Sequence, residues 1–140
     1  MARKRATDAG VAGRVRFDIA DASRYPADDY NLVCFFDTLH DLGDPVGAAA
    51  HARAALAPGG TLMLVEPLAG GGNLATSLAS PPAALNYAAS TFLCVPASLS
   101  QPVGAGLGSQ TGEPQLRATW CWKPGRNQRG NLPGHGAPGR

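Results

Sequence analysis

Acidic residues are missing from the end of this chain. Residues 118–140 hold Lys123, Arg126, Arg129 and Arg140 with no Asp or Glu, whereas residues 1–117 carry eight Lys/Arg against ten Asp/Glu. A basic, Gly- and Pro-rich segment without aromatic–basic interleaving beyond Trp120 and Trp122 has no nucleic-acid motif, and a disordered tail over 118–140 is expected. Cysteine is scarce too: Cys34, Cys94 and Cys121 are odd in number and widely spaced, which excludes a disulfide framework. Cys34 sits in an apolar run and reads as a small buried hydrophobe. His40, His51 and His135 have no metal-ligand spacing with one another or with the cysteines, so no metal site is expected. Uninterrupted long apolar runs are absent. The most apolar stretch, 83–99, is broken by Asn86, Ser90, Thr91, Pro96 and Ser98, which excludes a membrane span. No apolar run follows the basic start Arg3-Lys4-Arg5, so export is not expected and the cytoplasm is. There is no GxGxxG pattern. The glycines at 70–72 follow a strand but open no strong helix, which argues for a hinge or surface loop.

What is present is an alternation of strands and helices. Residues 2–9 are rich in helix formers, and Gly10 suits a left-handed cap. Val15, Phe17 and Ile19 alternate with Arg16, Asp18 and Ala20, a period of two that predicts a strand over 15–19. Residues 32–36 are continuously apolar, as in a parallel strand covered on both faces. Asp44-Pro45 places an N-cap and a first-turn proline before an Ala-rich helix over 46–57, which Pro58-Gly59-Gly60 ends. Residues 61–65 form a further apolar strand. Strand, helix and strand at this spacing make a right-handed crossover. Residues 83–99 are expected to form a helical pair or lid. The expected fold is α/β, an incomplete doubly wound sheet of about three parallel strands over 1–117.

In such a sheet ligands meet the carboxyl ends of the strands, so Asp21, Asp37 and Glu66 fall on one functional rim. His40 and Asp41 lie just beyond Asp37. An imidazole titrates near neutrality and suits a general base for a hydroxyl or amine.

Three segments in this order carry a resemblance: Asp21-Ala22, residues 33–41, and Ala57-Pro58-Gly59-Gly60 with its following strand to Pro67. They resemble the later part of a class I, Rossmann-like S-adenosylmethionine-dependent methyltransferase domain. Leu39-His40-Asp41-Leu42-Gly43-Asp44-Pro45 and residues 87–96 are similar to a bacterial group that often carries an N-terminal winged-helix segment. The likeness extends over residues 2–117. It implies that Asp21 accepts from the adenine amine while the Ala22 N–H donates to the ring. It implies too that Phe36-Asp37 passes the methionine portion of the cofactor, with His40 as the catalytic candidate. The acceptor would be a small molecule of unknown kind.

The resemblance also implies elements not found here. The Gly-rich first motif and the acid that holds the ribose would lie before Met1, as would two strands of the sheet. Two hydrogen bonds to a charged acceptor are worth roughly 3–6 kcal/mol together, a factor of roughly a hundred or more in affinity. Weak or absent cofactor binding and a defective catalyst are therefore expected of this chain alone. Exposed sheet edges would favour self-association, or docking on an intact homologue as a non-catalytic interaction fragment. Residues 118–126, if written in GC-rich codons, read in a shifted frame as Asp-Val-Val-Leu-Glu-Ala-Arg, similar to the closing strand of the family. An out-of-frame tail is the corresponding expectation, and sequencing the DNA decides it.

Overall fold

A computed structural model describes residues 1–67, 69, 74–78 and 82–120. Helix α1 spans Ala2–Asp8. Gly10 follows it at φ +68°, with Gly10 N–H donating to Thr7 O and Val11 N–H to Ala6 O, both at 2.9 Å. That pair of bonds is the Schellman closure, and it needs the positive φ that glycine adopts without penalty.

The strand expected over 15–19 does not form. Val15 is extended at φ −129°, ψ 126°, but no strand runs beside this segment among the described residues, and Ile19 is fully exposed. Alternation shows that a segment could line a half-buried surface; a ladder also needs a neighbour, and none is supplied here. The segment is anchored instead to α1, where Arg3 Nη2 donates to Phe17 O at 2.8 Å. A groove of about 310 Å³ between them, lined by Arg3, Ala6, Thr7 and Phe17 among others, contains none of the expected site residues.

The described sheet is a parallel pair, β1 (Tyr30–Phe36) and β2 (Leu56–Val65), joined by helix α2 (Pro45–Ala54). Asp44 caps α2 by accepting from Gly47 N–H at 2.8 Å, with Pro45 in the first turn. The helix ends at Ala54, three residues before the expected 57. Ala57 precedes Pro58 and is pushed out of the helical region, and Ala55 O is already taken by Tyr30 N–H at 2.9 Å. Chain therefore passes into β2 early. The register slips once, between Tyr30↔Leu56 and Leu32↔Thr61. Gly59, at φ +80°, absorbs that slip.

Val33, Phe35, Leu62 and Leu64 point to one face and pack with Ala48 and Ala52 of α2, with Leu39, and with Ala22, Leu42 and Leu116. The opposite face presents Leu32, Phe36, Met63 and Val65 to solvent. Cys34, on that face, is only partly buried.

Helix α3 covers Leu74–Leu78. Residues 83–99 then form a single helical run rather than a pair: α4 (Ala83–Ala89), a π-helical turn Ser90–Cys94, and α5 (Val95–Leu99). Pro96 has no N–H and crowds the carbonyl four residues back, so the widened turn lies where the normal ladder cannot close. Helix α6 (Glu113–Trp120) lays Leu116 on the core. Its last residues, Ala118–Trp120, had been expected in the disordered tail. The rest of that tail, including its proposed frame change, lies outside the described residues, as does the glycine loop at 70–73.

Candidate functional site

β1 and β2 end side by side, and the chain turns sharply after each. Asp37 N–H still donates to Val65 O at 2.7 Å. Asp37 itself adopts φ +50°, a left-handed conformation uncommon outside glycine. This residue turns the backbone into a short 3₁₀ turn, Leu39–Asp41, directly over the end of β2. Glu66, the first residue after β2, fills the space beneath. Its Oε1 accepts from Leu39 N–H at 2.8 Å and Thr38 N–H at 3.2 Å. Its Oε2 pairs with His40 Nδ1. Both side chains are 4% exposed.

This buried pair perturbs both partners. The hydrogen bond that His40 donates to Glu66 raises the His40 pKa above its ordinary value, against the opposing effect of burial. Burial pushes Glu66 up. Hydrogen bonds from His40, Leu39 N–H and Thr38 N–H, with the imidazolium charge, outweigh it and lower its pKa overall. The other imidazole nitrogen, Nε2, faces Asp41 Oδ1 at 3.3 Å, and Cys94 Sγ completes a cluster within 4.8 Å. Burial, followed by the Asp41 carboxylate, pushes the Cys94 thiol up.

A second layer clamps the turn that carries His40. Gln101 Oε1 accepts from Gly43 N–H at 3.0 Å while its Nε2 donates to Asp41 O at 2.8 Å. Ser98, fully buried, donates from Oγ to Leu42 O at 2.7 Å and accepts from Gly106 N–H. A Cβ on Gly43 would lie 2.5 Å from both Gln101 Cβ and Pro102 O, so only glycine permits this approach.

The expected site residues divide. His40 and Asp37 meet, with Asp37 Oδ1 4.0 Å from Nδ1 and its carboxylate mostly in solvent. Phe36 is exposed on the uncovered sheet face, opposite the core. Asp21 is exposed in a turn where its Oδ1 accepts from Ser23 N–H at 2.8 Å and Ser23 Oγ at 2.6 Å. Those bonds lower its pKa, the hydroxyl contributing most. Because 15–19 is not a sheet strand, Asp21 is not carried to the rim by the sheet. Ala22 nevertheless packs on the cluster of Phe35 and Leu39. No hydrogen bond or ion pair joins Asp21 to Asp37 among the described residues.

Residues 5–100 match the model of a methyltransferase domain family. The chain belongs to the class I methyltransferase domain family. Members of that family in general use S-adenosylmethionine. The matched part of the methyltransferase domain includes Asp21, the β1–α2–β2 crossover, the His40–Glu66 pair and Cys94, and it ends at residue 100, short of the 117 expected from sequence. No curated protein matches the chain.

Reading the sequence placed Glu66 on the rim but gave it no role. The available signal was its position directly after an apolar strand parallel to β1, which fixes it beside the residues following Phe36. Gln101 was missed and Cys94 was set aside as a partner of the histidines, since they lie 60 and 54 residues from Asp41 and His40 respectively and no spacing rule joins them.

Proposed function

We propose that this chain supplies the acceptor-side rim of an S-adenosylmethionine-dependent methyl transfer to a small molecule. The observation that carries the reading is the buried His40–Glu66 pair at the carboxyl ends of two parallel strands, inside the segment that matches the family. The cofactor brings an electrophilic methyl on a sulfonium; the residues here bind and orient. The donor set fits its two ends. Asp21 is exposed and keeps Oδ2 outside its bonds to Ser23, as an exocyclic amine requires of an acceptor. Asp37 offers an exposed carboxylate to an amino group beside the sheet end.

Glu66 holds His40 through Nδ1, so Nε2, beside Asp41 Oδ1 at 3.3 Å, is the nitrogen that takes a proton from an acceptor hydroxyl or amine. Because Glu66 raises the His40 pKa, Nε2 serves as a base only above that raised value. Positioning of the nucleophile remains the larger contribution in such a displacement.

On this reading the chain binds the cofactor weakly. Calorimetric titration of the purified chain with S-adenosylmethionine and S-adenosylhomocysteine tests this. Saturable binding weaker than micromolar, weakened further by Asp21→Asn, is expected. Micromolar affinity would overturn the weak-binding part, and no binding at millimolar cofactor would overturn the site.

A second reading draws on the sheet face of Leu32, Phe36, Met63 and Val65, which is bare among the described residues. A parallel sheet is ordinarily covered on both sides. On this reading the chain is a non-catalytic fragment that docks on an intact homologue, and co-purification with such a protein is its test.

A further inference from the structure

Beyond methyl transfer, we propose that His40 Nε2, Asp41 Oδ1 and Cys94 Sγ form a three-ligand site for a borderline divalent cation of the zinc type. The three atoms come from the turn after β1 and from the π-helical turn Ser90–Cys94, and all lie within 4.8 Å of one another. Metal–ligand distances of roughly 2.0–2.3 Å around a tetrahedral ion put neighbouring ligand atoms roughly 3.3–3.7 Å apart. Nε2 and Oδ1 already stand at 3.3 Å. Only the thiol must close in, by about an ångström at most, which a rotation of the Cys94 side chain supplies.

Two independent features point to an ion. Asp41 Oδ1 is shut off from water, and what faces it is His40 Nε2 at 3.3 Å and the Cys94 thiol, so with the imidazole neutral this oxygen needs a cation in place of a donor. His40, for its part, is 4% exposed and held at Nδ1 by Glu66. A carboxylate on the far nitrogen is how proteins fix a metal-binding imidazole, because it keeps the proton on Nδ1 and turns the Nε2 lone pair outward. The ligand set of imidazole, carboxylate and thiolate suits zinc better than magnesium or calcium. Three protein ligands leave a fourth position open.

The neighbouring trio of Asp37, His40 and Glu66 is also within reach of a common point. It is satisfied without an ion, since Glu66 already accepts from Leu39 and Thr38 N–H and from His40. On the Nε2 side no backbone N–H reaches Asp41 Oδ1 among the described residues. An ion there would take the lone pair that a base uses, so the ion-bound chain has no His40 base; the ion is detected without cofactor or acceptor, and its failure is read separately from that of the methyl-transfer reading.

Cobalt(II) is the probe, added to the reduced, chelator-treated 140-residue chain. One equivalent should give a thiolate-to-cobalt charge-transfer band in the near ultraviolet, with visible bands of tetrahedral intensity that zinc abolishes. Cys94→Ser should lose the thiolate band, while Cys34→Ser and Cys121→Ser keep it. Glu66→Gln, which touches no ion, should weaken binding roughly 10–100-fold. Nitrogen-15 NMR provides a reading without any substitution: zinc should shift the His40 ring resonances and leave His51 unmoved. A missing thiolate band in the wild type, a band that survives Cys94→Ser, or an unmoved His40 ring would each overturn the proposal.

Discussion

Glu66 connects the two strand ends. Three donors converge on its carboxylate, and it is nearly closed to solvent. Removing one partner of a buried pair strands the other, at a cost of about 3–5 kcal/mol. Glu66→Ala should therefore lower unfolding stability by about that amount in urea titration, whereas Asp37→Ala, whose carboxylate is mostly solvated, should cost less than about 1 kcal/mol. The pair also sets a pH dependence. His40 has a raised pKa in the fold, so its contribution is fully present below its ordinary 6.5 and is lost as pH rises through the raised value. Glu66 has a lowered pKa, so its contribution is present above its ordinary 4.5 and is lost as pH falls through the lowered one. Stability in chelator-containing buffer should therefore be greatest between about 4.5 and 6.5 and decline on both sides. Denaturation midpoints measured across pH check this, and a midpoint still rising above neutrality would contradict it.

Among the elements, α2 shows the closest agreement between sequence and structure. Asp44 and Pro45 specify its start locally, and the cap is made by the residue that the pattern identifies. Asp44→Ala should cost about 1 kcal/mol, read as a lower thermal midpoint with the helix still formed. Its far end was less legible, because the competition between an Ala-rich helix and the hydrogen bond from Tyr30 is settled by tertiary contact. The same reason explains residues 15–19. Their alternation is clear, but a strand is a property of two segments, and the second was not in the pattern. Residues 83–99 were legible as helical, and the π turn follows from Pro96 once one helix, rather than two, is recognised. The rim formed by Asp37 and His40 could be read from order along the chain. The contact of His40 with Cys94 depended on how that π turn rotates its last residue, which no local signal encodes.

At the scale of the molecule, one sheet face is packed by α2 and the other is bare among the described residues. Leu32 and Phe36 are 52% and 58% exposed, with Val65 at 47% beside them. Apolar surface of this kind on a two-stranded parallel sheet favours association. Sedimentation should show mass rising with concentration, and Phe36→Lys should suppress that rise without unfolding the chain; a strictly monomeric wild type would contradict the expectation. A small core also predicts a broad thermal transition for the monomer, against which a sharp cooperative one would count. No helix among the described residues is long and apolar enough to cross a membrane.

We propose that the ends of β1 and β2, with the turn at Asp21, form a methyl-donor site. Amide NMR of the chain titrated with S-adenosylhomocysteine to millimolar concentration tests it most directly. Shifts should concentrate at Asp21, Ala22, Asp37 and the Leu39–Asp41 turn. Perturbations confined to the groove beside α1, or none at all, would contradict it.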